Sequence, residues 1–349
     1  MLPSNLHFQI RTSVPRGGSL APAFRSAALA NALTRIDAKS RVSVVVAAAP
    51  AVQDLLYTRV RELISLPEGA NTDAHGDAAG RPDLIIVDEA HPSASIAAAL
   101  AGGISVAERV DGRSLAKDGA PIAWRLHQLH KPVVEVSGEH EMLLDPALGS
   151  WRSARKPLAR PPKELLILLG AGQHAAAELR IAEDLAPLAA QWERVDFVTG
   201  HGSTSAHRRQ LGRLLPTARI IPGLTDAVPF LARADLAILS GATLAREAAR
   251  LGAPTLLVSC TEADVALDQR FSAHGSALAL GHVESLYPGL LAKTIKQIRG
   301  ERLVAMAQSA LSTTATDALT RLVQRTRALP IPQTRKALTI PTIARAAHG

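Results

Sequence analysis

Residues 234–260 read ADLAILSGATLAREAARLGAPTLLVSC. Their first apolar run, residues 236–239, has the length of a buried strand, and small residues follow it. A helical pattern then covers residues 244–251 and ends at Gly252, with a proline two positions later. A second apolar run begins at Thr255. This order of strand, turn, helix and strand predicts one βαβ unit of a parallel sheet.

The turn between the first strand and the helix predicts a place for an anion. Gly241 and Thr243 fall at the predicted helix N-terminus, where unpaired backbone N–H groups and the helix dipole attract phosphate. Glu247 follows one turn later and is the single acid of this helix, so it can accept the protons of sugar hydroxyls. The pattern favours a nucleotide, and the alternative is an ordinary strand–helix corner with a solvated glutamate.

The composition indicates a globular chain of ordinary size. At 349 residues, 47% of them hydrophobic, the chain is long enough for two domains with full cores. Its formal net charge of +8 comes from arginines scattered along the chain, without the long basic runs and interleaved aromatic residues of a nucleic-acid surface. We therefore expect no nucleic-acid partner. A phosphate-bearing ligand or a plain surface bias explains the charge.

Cys260 is the only cysteine, which excludes a disulfide framework within the chain and a cysteine metal cluster. Because it ends an apolar run, it is interpreted as a small buried residue, with a catalytic thiol as the alternative. The N-terminus lacks the pattern of a secretion signal, and the longest apolar run, residues 44–52, is too short to cross a bilayer. We expect a cytoplasmic protein without a transmembrane segment.

Short apolar runs alternate with helical patterns along both halves of the chain, which predicts two doubly wound, Rossmann-like α/β domains with a cleft between them. Residues 146–162 hold four prolines and four basic residues but no acid, and they are interpreted as a linker. Residues 1–145 form the predicted acceptor or catalytic domain, and residues 163–330 the nucleotide-binding domain. Residues 331–349 are interpreted as a basic tail.

Several segments within these domains receive more specific predictions. Residues 42–48 are an almost continuous apolar run, as expected of a parallel strand covered on both faces. Residues 51–63 are predicted to be helical, residues 67–81 to form an exposed polar loop, and residues 120–130 to be partly helical. Residues 301–325 are predicted to close the second domain as a helix.

The first half carries motifs of a known enzyme family. Arg11 and Arg25 stand at the two arginines of the pattern R-x-D…G-T-G-H-V-x-R-x-x-x-L-A-x-A-L, and residues 29–33 read LANAL. Residues 82–88 resemble the family's D-x-x-I-V-D strand, and residues 137–144 its G-x-x-Y-x-x-L segment. The family comprises the UDP-sugar hydrolases of pseudaminic acid biosynthesis and their relatives, and the resemblance implies the GT-B fold.

The second half is similar to the same family, whose C-terminal domain is like that of glycosyltransferase family 28. Residues 169–172 resemble its F-G-G-S phosphate loop, and residues 234–254 its A-D-L-A-I…W-E-R-x-x-L-G-x-P signature. The resemblance implies that the glutamate of this signature holds the ribose hydroxyls and that the loop before it holds the diphosphate. The residues assigned to the nucleotide, including a glycine in the turn after residues 218–221, are Gly170, Gly172, Gly223, Gly241, Thr243 and Glu247.

The catalytic positions of the family are not kept. In an ungapped alignment Pro22 stands at the catalytic histidine and Ser13 at the aspartate, and proline has no proton to exchange and no side-chain acceptor. Arg246 replaces the tryptophan of the signature. The family's Asn-Gln pair falls on residues 263–264, although an Asp-Gln pair at residues 268–269 lies a turn later. The nucleotide side is thus retained in part, whereas the hydrolytic centre is not.

Other residues of the first half are candidates for the missing base. Asp88, Glu89 and His91 follow a predicted buried strand at its C-terminal end, where Glu89 or His91 would act as the base and Asp88 would orient the imidazole. The alternative is a plain loop at the end of a strand. Arg11 and Arg25 are assigned to a substrate phosphate or carboxylate, with surface salt bridges as the alternative.

The residues and the resemblance together favour a glycosyltransferase-type enzyme. It would take a UDP-sugar as its substrate and act at the glycosyl–diphosphate bond in surface-glycan or nonulosonic acid metabolism. A UDP-sugar hydrolase with a relocated base, and a catalytically degenerate nucleotide-binding or assembly protein of the same pathway, remain open. No metal or cofactor is expected, because the acid–histidine cluster at residues 138–141 lacks helical zinc spacing. A protein of the same pathway is a further candidate partner.

Overall fold

A computed structural model describes most of the chain as far as Thr313, and the described residues form two α/β units with one sheet each. None of the helices in these ranges combines the length and the apolar character that a bilayer crossing requires. The described residues are 6–15, 21–36, 38–73, 80–89, 93–101, 104–109, 122–128, 131–137, 148–170, 174–200, 202–223, 226–298 and 300–313.

The first unit contains a seven-stranded sheet. Its elements in chain order are β1 (His7–Val14), α1 (Ala21–Ile36), β2 (Arg41–Ala48), α2 (Pro50–Tyr57), β3 (Leu63–Leu66), β4 (Leu84–Asp88), α3 (Ser93–Ala101), β5 (Ser105–Arg109), β6 (Ile122–Gln128) and β7 (Lys131–Ser137). The strand order across the sheet is β3-β2-β1-β4-β5-β6-β7. The first five strands in chain order pair in parallel, and the last two pair antiparallel.

The second unit contains a six-stranded sheet in which all pairings are parallel. Its elements in chain order are α4 (Leu148–Ala154), β8 (Glu164–Leu168), α5 (Ala175–Leu185), a short 3-10 helix (Ala186–Gln191), β9 (Arg194–Thr199), α6 (Ser205–Leu214), β10 (Ala218–Pro222), α7 (Val228–Arg233), β11 (Leu236–Leu239), α8 (Ala242–Leu251), β12 (Thr255–Ser259), α9 (Glu262–Ala273), β13 (Leu278–His282), a second 3-10 helix (Val283–Ser285), α10 (Leu290–Gln297) and α11 (Glu301–Thr313). The strand order is β10-β9-β8-β11-β12-β13.

The cores of both units are built from apolar strands that are covered on both faces. In β2, residues 44–48 are at most 1% exposed, as the unbroken apolar run predicts for a parallel strand. In β8, Leu166 and Ile167 are also buried, and they pack into separate clusters because neighbouring residues of a strand point to opposite faces. Each face therefore has its own layer of helices, which confirms the doubly wound architecture.

The strand order reverses beside the first strand of each sheet. β1 lies between β2 and β4, and β8 lies between β9 and β11. The helices on the two sides of such a reversal diverge and leave a crevice beyond the carboxyl ends of the strands, where ligands of doubly wound proteins bind. We call the ends of the parallel strands in each sheet its carboxyl edge. The two crevices are thus expected at the ends of β1 and β4 and at the ends of β8 and β11.

Two of the local predictions are wrong. The helix predicted over residues 51–63 ends at Tyr57, and β3 follows it because this segment gains a parallel ladder with β2. Residues 120–130 contain strand β6 in place of the predicted partial helix. In its sequence, the apolar residues Trp124 and Leu126 alternate with Arg125 and His127. The hydrogen-bonding partners of this strand are the neighbouring strands β5 and β7. A short segment with this alternation gains its backbone bonds from distant residues, which local periodicity does not reveal.

The segment predicted as a linker packs on the second unit. Leu148 in α4 is 1% exposed and lies in the core beside β8. Arg155 donates hydrogen bonds to three carbonyl oxygens at the C-terminal end of α7 and just beyond it, and burial lowers the pKa of its guanidinium to about 10. Asp235 accepts hydrogen bonds from three backbone N–H groups of residues 159–164. The domain limits themselves stay a prediction, as do the helix and the tail beyond residue 313, which lie outside the described residues.

Candidate functional site

The corner between β11 and α8 has the geometry predicted for it. Gly241 is the residue before the helix and has φ +94° and ψ 140°, a conformation that an L side chain rarely adopts. The helix ends at Gly252, which is left-handed with φ +69° and donates its N–H to the carbonyl oxygens of residues 248 and 249. The glycine stop is therefore confirmed, and the helix N-terminus begins directly at the end of a buried strand.

Gly170 brings the end of β8 against this corner. It has φ +89°, and a Cβ atom built on it would lie 3.7 Å from the carbonyl oxygen of Ser240. Ser240 donates its N–H to the carbonyl oxygen of Leu168 at 3.3 Å, and its Oγ accepts the N–H of Cys260 at 3.2 Å. The ends of β8, β11 and β12 thus meet at the carboxyl edge of the second sheet, beside its strand reversal.

Thr243 and Glu247 lie on the same face of α8, because they are four residues apart in one helix. Both are half-buried. Thr243 belongs to the first helical turn, whose backbone N–H groups have no intrahelical acceptor. Backbone donors and a carboxylate therefore stand one turn apart, about 6 Å along the helix axis, next to the crevice.

The other assigned glycines are not all brought to this place. Gly223 follows β10 and donates its N–H to the carbonyl oxygen of Thr199 at 3.0 Å. β10 is an edge strand, two strands from β8, so Gly223 lies roughly 10 Å from the end of β8 across the sheet. Gly172 lies outside the described residues. The structure therefore brings Gly170, Gly241 and Thr243 to one crevice and leaves Gly223 at the side of it.

Asp88 and Arg25 form a buried ion pair at the carboxyl edge of the first sheet. The guanidinium donates two hydrogen bonds to the Asp88 carboxylate, at 2.7 Å and 3.0 Å, and both side chains are at most 10% exposed. Thr12 donates to the carbonyl oxygen of Asp88. Pro22 lies in the first turn of α1, where a proline costs no hydrogen bond. His91 lies outside the described residues, so its orientation by Asp88 stays a prediction.

Arg11 and Glu89 are engaged with the segment after β3. Arg11 is 6% exposed, donates to the Gln9 Oε1 atom at 2.8 Å and forms an ion pair with Asp73. The Thr72 hydroxyl donates to Glu89 Oε1 at 2.5 Å. Thr72 is itself buried, which corrects the prediction that this whole loop is exposed. Glu89, a predicted base, thus has a protein partner 17 residues away, and Arg11, a predicted substrate ligand, has one 62 residues away.

Cys260 is half-buried, and burial raises the pKa of its thiol, against the opposing effect of a hydrogen bond with Ser240. Because only the thiolate is a strong nucleophile, a raised pKa leaves the group unreactive at neutral pH. The position at a strand end and the protonated thiol support the interpretation of Cys260 as a packing residue.

Two buried acids at the carboxyl edge of the second sheet were not predicted as site residues. Asp268 is 1% exposed, accepts a hydrogen bond from the Ser259 hydroxyl at 2.7 Å, and leaves its Oδ1 atom without a partner in the described part of the chain. Burial raises its pKa to about 6. Glu178, 2% exposed, contacts His207. In the sequence, an acid within an otherwise apolar helical face is the only signal for Glu178, whereas Asp268 begins the Asp-Gln pair that could substitute for the family's Asn-Gln pair. Neither signal reveals the partner.

Comparison with known proteins finds similarity in structure alone. No protein-family model and no curated protein sequence matches the chain. Among solved structures, MurG of Acinetobacter baumannii aligns with a TM-score of 0.61 at 15% identity, over 93% of this chain and 100% of the other. The UDP-GlcNAc 2-epimerase of Neisseria meningitidis, bound to UDP-GlcNAc, aligns with 0.57 at 14% over 91% and 99%.

The glycosyltransferase VinC, solved in complex with dTDP, aligns with a TM-score of 0.58 at 16% identity, over 92% of this chain and 100% of the other. At identities of this size a structural match shows the fold and leaves the reaction open. All three alignments extend over both units. The chain has the GT-B-like fold, in which two doubly wound, Rossmann-like α/β domains follow each other.

Proposed function

We propose that the protein is a nucleotide-sugar enzyme that binds a nucleoside diphosphate, most simply UDP, at the corner between β11 and α8. The observation that carries the proposal is the close approach of Gly170 to Ser240, the residue before Gly241, beside the strand reversal. Two of the similar structures hold ligands of this class, UDP-GlcNAc and dTDP. Their presence supports the choice of ligand, which the fold by itself leaves open.

The proposed reaction is transfer of a glycosyl group from the UDP-sugar to an acceptor. As the bond between the anomeric carbon and the diphosphate breaks, negative charge develops on the leaving oxygen. The N–H groups of the first turn of α8, near Thr243, would stabilise that charge through fixed dipoles. Glu247 would accept hydrogen bonds from the ribose hydroxyls one turn away. The corner thus supplies both binding and leaving-group stabilisation.

The first unit would supply the base that takes the proton of the acceptor. Glu89 and His91 remain the proposed candidates, because both follow β4 at the carboxyl edge of its sheet. Arg11 and Arg25 reach a substrate only by exchanging Asp73 and the paired aspartate for substrate oxygens. Their assignment to the substrate therefore requires a rearrangement of these two ion pairs.

Thermal unfolding with nucleotides tests the nucleotide site directly. UDP, dTDP and a panel of UDP-sugars should raise the melting temperature of the wild type, because ligands that bind only the folded state stabilise it. Glu247→Ala should abolish most of the shift. Glu183→Ala, an exposed acid on α5, is the matched control and should keep it. If none of these ligands shifts the wild type, the proposed nucleotide site is wrong.

A non-catalytic nucleotide-binding protein is the second candidate. Pro22 at the family's histidine position and the pairing of Asp88 with Arg25 favour it, since neither arrangement offers a free base. Incubation with UDP-sugars, followed by analysis of products, separates the candidates. UDP released only with an acceptor indicates transfer, and UDP released in water alone indicates a hydrolase with a relocated base. Epimerised UDP-sugar would indicate the activity named for one similar structure. Binding without any product would indicate the non-catalytic protein.

A further inference from the structure

A buried carboxylate joins two helices and a loop of the second unit. Glu178 in α5 is 2% exposed. Its Oε1 atom accepts the backbone N–H of Gly200 at 3.2 Å, and its Oε2 atom lies 2.6 Å from Nε2 of His207 in α6. The His207 side chain is 9% exposed. A carboxylate this deeply buried is tolerated because both of its oxygens have partners.

The three groups lie at the two ends of the loop between β9 and α6, of which the structure describes residues 200 and 202–204. Gly200 is the first residue after β9, and Thr204 is the last residue before α6. The Thr204 hydroxyl accepts the N–H of His207 at 3.2 Å. Glu178 therefore holds the start of the loop directly and its end through His207. Residues of α5 and α6 thus hold Gly200 and Thr204, the two ends of the loop.

This loop borders the proposed nucleotide site. β9 is the strand next to β8, and Gly170 at the end of β8 contacts the corner at Ser240. The loop thus lies one strand, roughly 5 Å, to the side of the crevice. The contacts of Glu178 with Gly200 and His207 therefore lie at the carboxyl edge of the sheet, on the same side as the crevice.

We infer that Glu178 and His207 are positioning residues that hold the loop after β9 in place for a phosphate-bearing ligand. The inference rests on the proposed nucleotide site. Neither side chain has to touch the ligand, because their effect passes through the backbone of the loop. Loss of the carboxylate frees the N–H of Gly200 and leaves the imidazole without its acceptor, so the loop becomes mobile.

A buried carboxylate at the other end of the same sheet provides a matched control. Asp196 in β9 is 3% exposed and is paired with Arg194, Arg219 and Arg233. It lies toward the amino end of the strand, away from the crevice. Asp196→Asn should lower the melting temperature, because it removes a charge from a buried ion-pair network, yet it should not change the loop. It separates a general loss of stability from a loss of positioning.

The experiment measures hydrogen exchange of the loop amides without ligand and the Kd for UDP in the same variants. In Glu178→Ala, Gly200 should exchange about tenfold faster and the Kd should rise about tenfold, as expected for the loss of one to two hydrogen bonds. Glu178→Gln should keep both values near those of the wild type, because its amide can accept from Gly200 and donate to a neutral imidazole. His207→Ala keeps the contact of Glu178 with Gly200 and should have a smaller effect on both values. This variant replaces Glu178→Ala in the test if Glu178→Ala does not fold.

Each outcome decides a separate point. Unchanged exchange of Gly200 in Glu178→Ala would overturn the positioning role. Faster exchange with an unchanged Kd would show that the loop is held for a reason other than ligand binding. An equal rise in Kd in Asp196→Asn would show that the weaker binding of Glu178→Ala comes from a general loss of stability and not from loss of positioning. A wild type that binds no nucleotide would refute the proposed function, and loop exchange would still decide whether Glu178 holds the loop.

Discussion

At the carboxyl edge of the second sheet, β8 and β11 are followed by Gly170, Ser240 and Gly241, whereas at that of the first sheet β4 ends in Asp88 and is followed by Glu89. The first set offers backbone N–H groups and little side-chain bulk. The second set offers charged side chains that are already paired with other parts of the protein. One edge is thus open to a ligand through its backbone, and the other is closed by its own side chains.

This difference fits the unequal resemblance of the two halves of the sequence to the pattern of the UDP-sugar hydrolases. A backbone site requires only glycines where φ is positive and a helix that begins at the right place. A site built from side chains requires each residue by type, and a single change such as proline for histidine removes its chemistry. The proposed nucleotide corner would therefore tolerate more divergence than a site built from side chains.

The largest expected effect is on the paired edge. Arg25→Met leaves Asp88 buried without its cation, and the free energy of unfolding should fall by about 3–5 kcal/mol. Arg41→Met, in an exposed pair with Glu62, is the control and should cost less than about 1 kcal/mol. Urea denaturation measures both variants. If Arg25→Met is as stable as the wild type but binds substrate poorly, Arg25 serves the ligand and the edge is open after all.

Asp268 and Glu178 are buried acids at the backbone edge, and the effect of Asp268 on stability depends on pH. Its pKa in the folded state, about 6, lies above the ordinary 3.8, so the folded protein binds the proton more tightly than the unfolded chain. Its contribution to stability is therefore complete below about pH 3.8 and is lost as the pH rises through 6. Between pH 4 and pH 7.5, the wild type should lose up to about 3 kcal/mol of unfolding free energy relative to Asp268→Asn.

Thermal denaturation across this pH range measures the shift. Ser259→Ala removes the hydrogen bond that opposes the raised pKa of Asp268, so the loss of stability should continue to a higher pH than in the wild type. Parallel pH profiles of wild type and Asp268→Asn would contradict the raised pKa.

The smallest expected effect is at the corner. Gly241→Ala meets no atom within 4 Å among the described residues, but it must adopt φ +94°, which costs about 1–2 kcal/mol. The Kd for UDP should rise about tenfold if this strain turns the N–H groups of α8. Gly289→Ala, with φ +84° before α10, is the control and should lose similar stability without a change in Kd. Equal Kd values for Gly241→Ala and the wild type would mean that UDP does not use this corner.

The parts of the fold that sequence patterns predict are those whose signals are local. The strand at residues 236–239, the helix stop at Gly252 and the relation of Thr243 to Glu247 all follow from residues within one or two turns. The ion pair of Arg25 and Asp88 joins residues 63 positions apart, and Glu178 finds His207 29 positions later. Such partners depend on which strands become neighbours, and no local pattern contains that information.

The wrong predictions have the same cause. Residues 63–66 and 122–128 become strands because neighbouring strands provide their backbone partners. In the candidate site, the glycines were predictable from their position at strand ends. The partner of the Arg11 guanidinium was not predictable, because Asp73 lies 62 residues away in the sequence. Polar residues at alternate positions of a buried strand, Gln9 and Arg11, are the only hint that such a partner exists.

The hydrogen bonds of Arg155 with the end of α7, and of Asp235 with residues 159–164, determine where the chain can be divided. A fragment that starts at Lys163 would lack Leu148 from its core and the guanidinium that caps α7, and it would expose three carbonyl oxygens and an apolar groove. A fragment that starts before Leu148 would keep both. Proteolysis and separate expression of the second unit should therefore succeed only when the proline-rich segment stays attached to it, as a strap belonging to that unit.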